Sequence, residues 1–479
     1  MGLKVLLYSI YIVISVWLLT TFQTTVPVWV SFFVTTALVT GITFYHIFLE
    51  GEYSPFLSAY IVFSFLFFVV APIVQINSFV GDTRPFYVNF FPYSEGLTVY
   101  TNVLIAVFHT IFFFSYLVFK RLGPLRKIPN YAQGTDGYLA VLIMVLAGVT
   151  VLVFIAGYGF VMDELRRPNW MQSPYSVGVL LAWKKVFFLI PFAGIVLCFQ
   201  YFKKKKKKGS NYLAVLFSIG FFILLLVWFK NPLTEKRNAL GPIYLCLIYL
   251  FVPRLFNSNL KTFSLLTFLM IIAFPLTAIF THSDATLQEI VRDPGIFFEQ
   301  SKGGGIYKAF TTLNYDAFAN FSTTIDYVRH NGLSWGCQLL SALLFFVPRS
   351  IWAGKPIGTG EFIGDYLVSD YGYHFTNLSN PYVSEGYINF GWLGIVFFAI
   401  VLAAVFIVMG SWLKSGDYLI KIMAFYLAMH MIYLLRGDLG SSYSYYVGTL
   451  VGVLVIPKTV LWFLKRVHKK NFTWEHKKT

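Results

Sequence analysis

Apolar runs of about twenty residues recur from one end of this chain to the other. Each is long enough as a helix to cross a hydrocarbon core about 30 Å thick. That pattern constrains the fold more than any other feature, because a backbone in lipid must satisfy its own hydrogen bonds, and a helix does so within one segment. Composition agrees. Of 479 residues, 57% are hydrophobic and only 12% charged, where a soluble protein carries about 25% charged residues. Mean hydropathy is +0.68. The expected fold is all-α: a polytopic membrane protein of about 12 transmembrane helices, with a re-entrant or interfacial segment and a long external loop carrying short helices.

The expected spans are residues 5–21, 25–48, 54–76, 97–119, 138–157, 178–202, 211–229, 238–252, 262–281, 389–410, 417–435 and 443–463. The first hydrophobic run, Val5–Leu19, lacks a small-residue cleavage site and reads as a retained span rather than a removed signal. Cys198, Cys246 and Cys337 all lie in apolar stretches and point to neither a disulfide framework nor a zinc site. The net charge of +16 would suggest nucleic acid in a soluble protein. Here it reads as topology, because positive loops stay in the cytoplasm, and no nucleic-acid partner is expected.

Three cationic segments set the orientation. Lys120, Arg121, Arg126 and Lys127 follow the fourth span, Lys203–Lys208 follow the sixth, and Lys465–Lys470 follow the last. The run Cys337–Val347 is eleven residues, about 16 Å as a helix and too short to cross. Treated as a re-entrant or interfacial dip, it leaves both termini inside and makes His282–Ile388 one long external loop. Inside segments then hold 22 Lys or Arg and 5 Asp or Glu, against 15 and 16 outside, a balance of +17 to −1. The organisation is therefore residues 1–281 for the first nine spans, 282–388 for the loop, with its dip near 337–348, and 389–479 for the last three spans and a basic cytoplasmic tail. Within the loop, Ile306, Phe310, Leu313, Ala317, Phe321, Ile325 and Val328 recur at helical spacing and predict one helix with one apolar face.

Positive charge on the outer side is disfavoured, yet four cationic clusters fall there: Arg166-Arg167, the segment Asn231–Arg237 with Lys236 and Arg237, the pair Arg349 and Lys355 around Trp352, and Arg436. An interfacial cation ordinarily meets lipid phosphate. Four clusters together fit a membrane-embedded site for an anion. Arginine predominates, and its planar fork matches phosphate oxygens and keeps its charge when partly desolvated. Because the surroundings are aromatic and at the membrane surface, the anion suggested is a phosphate or diphosphate on a lipid.

Acids accompany these cations. Glu361 and Asp365 share a face if the chain turns helical after Gly360, and Asp370, His374 and Glu385 follow in the same loop. One of them could deprotonate an attacking hydroxyl, while solvated loop acids or counter-ions are the ordinary alternative. Asp438, two residues after Arg436, is expected to orient that arginine. The run Gly358–Gly364 approaches G-x-G-x-x-G, but its last glycine falls one place late and no strand precedes it, so it is not a dinucleotide site. Its glycines fit a tight turn or a close backbone approach to a ligand. There is no D-x-D metal motif, no P-loop and no H-E-x-x-H, so neither metal nor cofactor is expected. No ionisable pair lies deep in a span, as proton-coupled transport often requires. Lys184 and Lys185 come nearest, at the outer boundary of the sixth span.

This layout resembles the bacterial oligosaccharide repeat-unit polymerases of the O-antigen-polymerase type, related in architecture to O-antigen ligases. The residues that carry the likeness are "VPRSIWAGKP" (Val347–Pro356), the outer "EKR" (Glu235–Arg237) and "NPYVSEGYINFGWLG" (Asn380–Gly394). The resemblance implies an enzyme that joins lipid-diphosphate-linked repeat units on the outer face of the bacterial cytoplasmic membrane. With no nucleotide-sugar motif, the glycosyltransferase expected is nucleotide-sugar-independent, and displacement at one face would invert the anomeric carbon. The partners the resemblance implies are a polyprenyl-diphosphate-linked donor and acceptor, membrane lipid, a chain-length regulator and a flippase. The family's loop arginines map here to Arg166, Arg167, Arg237, Arg349 and Arg436, with Lys236 and Lys355 beside them at the diphosphate. Catalysis is expected of Arg349, Arg237, Glu361, Asp365 and His374, with His330 a second counterpart of the ligases' loop histidine. A glycan ligase, or a flippase for an anionic lipid-linked glycan, is the alternative.

Orientation is directly testable. In a chain with its native cysteines replaced, Trp352→Cys should react with a membrane-impermeant maleimide from outside and Lys414→Cys only after the membrane is opened. The reverse pattern would invert the topology.

Overall fold

The computed structural model describes residues 2–79, 84–123, 137–167, 173–204, 211–232, 235–274 and 305–475. The chain is an all-α polytopic membrane protein, with no strand among the described residues. In order it forms α1 (Gly2–Thr20), α2 (Val26–Leu49), α3 (Pro55–Phe79), α4 (Glu95–Leu122), α5 (Leu139–Arg166), α6 (Val177–Lys204) and α7 (Asn211–Phe229). Two shorter apolar helices follow, α8 (Arg237–Phe251) and α9 (Asn259–Ala273). The loop then carries α10 (Gly305–Phe310), α11 (Ala317–Asn331), α12 (Cys337–Leu343) and α13 (Thr359–Tyr371). The chain ends with α14 (Tyr382–Leu413), α15 (Tyr418–Arg436) and α16 (Leu439–Val467). Ten of these, α1–α7 and α14–α16, are long and apolar enough to cross a membrane.

Ten expected spans therefore coincide with one of these helices, although α5 runs nine residues past its expected end and α14 starts seven before its expected start. The expected spans 238–252 and 262–281 correspond to α8 and α9. With 15 residues, α8 rises about 22 Å, short of a full crossing. The end of 262–281, loop residues 282–304, and Arg126, Lys127 and Lys205–Lys208 lie outside the described residues.

The helices group into two compact units. The first takes in residues 1–125, 253–408 and 431–443. Its centre is α3, apolar on every side and buried at every residue from 55 to 76, as an all-round hydrophobic helix must be. Helix α1 is the opposite case, with only Tyr11, Ser15, Leu18 and Leu19 buried. Its remaining apolar side chains form a surface suited to lipid. On α3 the Gln75 amide donates to the carbonyls of Phe310 (2.9 Å) and Tyr315 (3.0 Å), which fastens loop residues to the core helix.

The single amphipathic helix expected over 306–328 is not formed. Helix α10 stops at Phe310, a 3-10 turn runs Leu313–Tyr315, and α11 starts afresh at Ala317. The Thr312 hydroxyl accepts from the Asn314 amide and starts the new turn. The Asp316 carboxylate is drawn to side chains elsewhere in the unit: it accepts from Ser379 (2.6 Å) and from Arg436 (3.2 Å). Nor does α11 bury one face only. Every residue from Ala317 to Ile325 is buried, and the polar ones are satisfied. Asn320 donates to the Ser379 carbonyl (2.6 Å), Thr324 to Asn380 Oδ1 (3.1 Å), and Thr323 accepts from Asn89 (3.0 Å). Apolar spacing revealed one face; hydrogen bonds from distant segments cover the other.

Helix α14 is two helices. Gly391, at φ 59 and ψ −135, reverses the chain, a conformation that glycine enters without strain. Residues 382–390 fold back on the following helix, with the Tyr382 and Phe398 rings 4.9 Å apart. The approach is so close that a Cβ on Gly394 would lie 1.7 Å from the Gly386 carbonyl oxygen. The second arm, from Trp392 to Leu413, is about 33 Å long and can span alone. Helix α12, seven residues long, is too short to cross, as expected.

The second unit takes in residues 126–252, 409–430 and 444–479. It contains α5 to α8, and one end each of α5, α6 and α7 brings charged residues together.

Gly394→Val should prevent the hairpin from closing, because the clash is with backbone and no rotamer relieves it. A loss at or above the upper end of the roughly 1–3 kcal/mol typical of overpacking is expected, read as a collapsed monodisperse peak on size exclusion in detergent. An unshifted peak and melting point would refute the close approach.

Candidate functional site

Within the second unit, α5 ends in Asp163, Glu164 and Arg166, α6 begins with a widened turn carrying Lys184 and Lys185, α7 is followed by Lys230, and Glu235 and Lys236 precede α8. Two acids hold the cations together. Glu164 accepts from Arg167 Nη1 at 2.5 Å and from the Lys184 ammonium. Lys184 Nζ lies 4.0 Å from Glu235, whose same oxygen is 3.5 Å from Lys230. Lys230 is 1% exposed, and its ammonium also donates to the Lys184 carbonyl at 2.5 Å. The widened turn is seated against α16, where a side chain on Gly448 would meet the Lys185 backbone. Lys185 reaches the Ser444 hydroxyl (2.5 Å) and lies 3.9 Å from the Tyr445 ring centroid. Tyr175 donates to Asp163, and that bond holds its phenol pKa above the usual value.

Arg166 and Lys236, both exposed, flank this network, and Arg237 is half-buried at the start of α8. Across residues 163–185 and 230–237 the sequence holds seven Lys or Arg and three Asp or Glu. A surplus of positive charge therefore remains after Glu164 and Glu235 are paired. The cluster around Arg167 and the segment around Lys236 are thus brought together. Glu164 and Lys230 were not singled out from sequence, though each is an ionisable residue abutting an apolar run, which was the available signal.

The other two cationic clusters both lie in the first unit. The loop after α12 abuts residues 438–441: the Gly360 amide donates to Asp438 Oδ2 (3.2 Å), and the Ser441 amide donates to Asp438 Oδ1 (2.9 Å). Asp438 therefore does not orient Arg436, contrary to expectation. The carboxylate beside Arg436 is Asp316, and the guanidinium also donates to the Leu313 carbonyl at 2.7 Å. Glu385 is fully buried and accepts from Thr359 (2.9 Å) and from the Leu439 amide (3.2 Å).

Arg349 and Lys355 sit beside an apolar run because the run ends there. Lys355 donates to the carbonyls of Leu344 (2.9 Å), Phe345 (3.0 Å) and Val347 (3.0 Å), groups left open after α12 stops. Arg349 donates to the carbonyls of Lys355 (2.7 Å) and Pro356 (3.5 Å). Burial, and then the Arg349 charge, lower the Lys355 pKa from its usual value. On α13, Glu361 and Asp365 are both exposed and four residues apart on one helix, as predicted. Gly360 and Gly364 do allow a close backbone approach, though to the chain itself: a Cβ there would lie 2.1 Å from the Leu378 carbonyl oxygen and 2.0 Å from that of Thr376. His374 is exposed beside Phe90 and Tyr373, and His330 lies 3.6 Å from Asp326. Among the described residues no group of three His, Cys, Asp or Glu could hold a metal ion.

No protein-family model, no curated protein and no solved structure matches this chain.

Lys184→Met should leave Glu164 and Glu235 without their common partner and lower stability by about 1–3 kcal/mol. Lys184→Arg should retain most of it. Equal melting points for Lys184→Met and wild type in detergent would show that Lys184 does not link the two acids.

Proposed function

We propose that this chain polymerises lipid-diphosphate-linked oligosaccharide repeat units on the outer face of a bacterial cytoplasmic membrane. The observation that supports it best is the positive surplus gathered where α5 and α7 end and α6 and α8 begin. A cation cluster at a helix boundary, interlaced with fewer acids than cations, suits a multiply charged anion that arrives in the plane of a membrane. A diphosphate on a lipid is such an anion.

In the reaction, a hydroxyl on one lipid-linked repeat attacks the anomeric carbon of the chain carried by another. A C–O bond forms there as the C–O bond to diphosphate breaks. The bonding pair leaves with the diphosphate oxygen, and the hydroxyl proton passes to a general base. Arg167, Lys184 and the flanking Arg166, Lys236 and Arg237 stabilise charge that grows on the leaving group, and so favour the transition state over the ground state. Arg349, Lys355 and Arg436 act differently in this scheme. Their donors are directed at backbone carbonyls and at Asp316, so they hold together loop segments of the first unit.

Purified protein in vesicles, given lipid-linked repeat units outside and no ion gradient, should lengthen the glycan. Arg167→Ala should slow this by about 10²-fold, the effect of removing one charge-stabilising donor. Movement of the lipid-linked glycan across the bilayer at constant chain length would identify a flippase instead.

A further inference from the structure

Among the described residues, two non-glycine residues have positive φ, Phe90 (60) and Trp335 (49). Both are large aromatics that project outward, at 54% and 76% exposure. A side chain in this region strains the backbone, and such strain concentrates at ligand clamps. Burial cannot explain it here, since neither ring is inside.

Phe90 belongs to a built surface within the first unit. Its ring stacks on Phe86 at 4.9 Å and an interplanar angle of 7°, and on Tyr373 at 5.6 Å and 30°. The His374 ring is 6.3 Å away. Next to Phe90, Phe91 meets Tyr371 at 5.1 Å. Tyr371 and Tyr366 both donate to Asp326 Oδ2, at 2.6 and 2.8 Å, and His330 lies 3.6 Å from the same oxygen. Burial, and then Asp326, push the Tyr371 phenol up to about 12, so it stays a donor. Tyr371, His374, Phe375 and Asp370 are exposed. The result is a packed aromatic shelf that exposes Phe90, Tyr371, His374 and Phe375 and is edged by a carboxylate, phenols and imidazoles.

We infer that this shelf, with Phe90 at its centre, binds the sugar rings of a glycan. A pyranose is apolar on its faces and hydroxylated at its rim, so it uses ring faces and polar edge together. An isoprenoid chain or lipid tail would leave Asp326, Asp370 and His330 against hydrocarbon, which is costly. The inference deepens the polymerase reading, on which it rests for the source of the glycan. It assigns the shelf to the oligosaccharide part of the substrate, apart from the diphosphate.

The test uses the full chain in lipid nanodiscs and short lipid-free, phosphate-free oligosaccharides cut from the surface polysaccharide of the cells that make this protein. Hydroxyl-radical footprinting should oxidise Phe90 and His374 readily in the free protein, and the oligosaccharide should protect both several-fold. Phe90→Gly relieves the strained φ, so its melting point should equal or exceed that of wild type while oligosaccharide affinity falls at least tenfold. Phe90→Trp should retain binding. Protection of Phe90 by lipid before any glycan is added would make the shelf a membrane belt and overturn the inference. So would a lowered melting point in Phe90→Gly with affinity unchanged. Because the probe carries no diphosphate, loss of polymerisation without loss of this protection would count against the polymerase reading alone.

Discussion

One ammonium, that of Lys184, is shared between Glu164 and Glu235, and the arrangement of the second unit's charged end depends on it. Several cations cannot gather at the edge of a membrane core unless acids lie among them, because like charges in a low dielectric repel strongly. Glu164 and Glu235 supply that neutralisation at two points, and Lys184 joins the points. Lys230 completes the arrangement by holding the Lys184 carbonyl, which fixes the widened turn that presents both Lys184 and Lys185. The surplus that remains is positive. That surplus, more than any single arginine, makes the end of this unit suited to an anion.

The first unit solves a different problem, that of placing polar backbone and side chains inside an apolar bundle. Short helices and turns end within it, and open carbonyls there and in the loops between them find Lys355, Arg349 and Arg436. Buried acids find amides and hydroxyls, as Glu385 finds Thr359 and Leu439. Glycines allow backbone to touch backbone, at Gly394 in the hairpin and at Gly360 and Gly364 on α13. A cation in such a loop therefore serves one of two ends. It neutralises carbonyls, which is structural, or it contributes to an unspent field, which can bind a ligand. Arg349 and Lys355 belong to the first kind; Arg167 and Lys184, tied to acids within a positive surplus, belong to the second.

Much of this was legible in the sequence. The spans were, because twenty apolar residues in a row have few other fates, and ten of them coincide with long apolar helices. The short length of Cys337–Val347 was equally plain. What sequence did not reveal were pairings between distant segments. Asp438 lies two residues after Arg436 in the chain, yet the carboxylate at that arginine is Asp316, more than a hundred residues away. Periodicity identified the apolar face of α11 but could not show that Asn320, Thr323 and Thr324 would be buried by hydrogen bonds. The reversal at Gly391 was hidden for a similar reason: its "FGWLG" segment reads as a helix start, and only the fold-back of Gly386 on Gly394 reveals a hairpin. Phe90 carried no signal at all, since positive φ at an aromatic residue leaves no trace in composition.

The central claim is that the cations at the ends of α5, α6, α7 and α8 receive a lipid diphosphate. It is tested most directly by a photoreactive polyprenyl diphosphate, cross-linked to the protein in vesicles and mapped by mass spectrometry. Adducts within residues 163–185 and 230–237, competed away by inorganic pyrophosphate, are the predicted result. Adducts confined to other segments, such as those around Lys120 or Lys203, would contradict it.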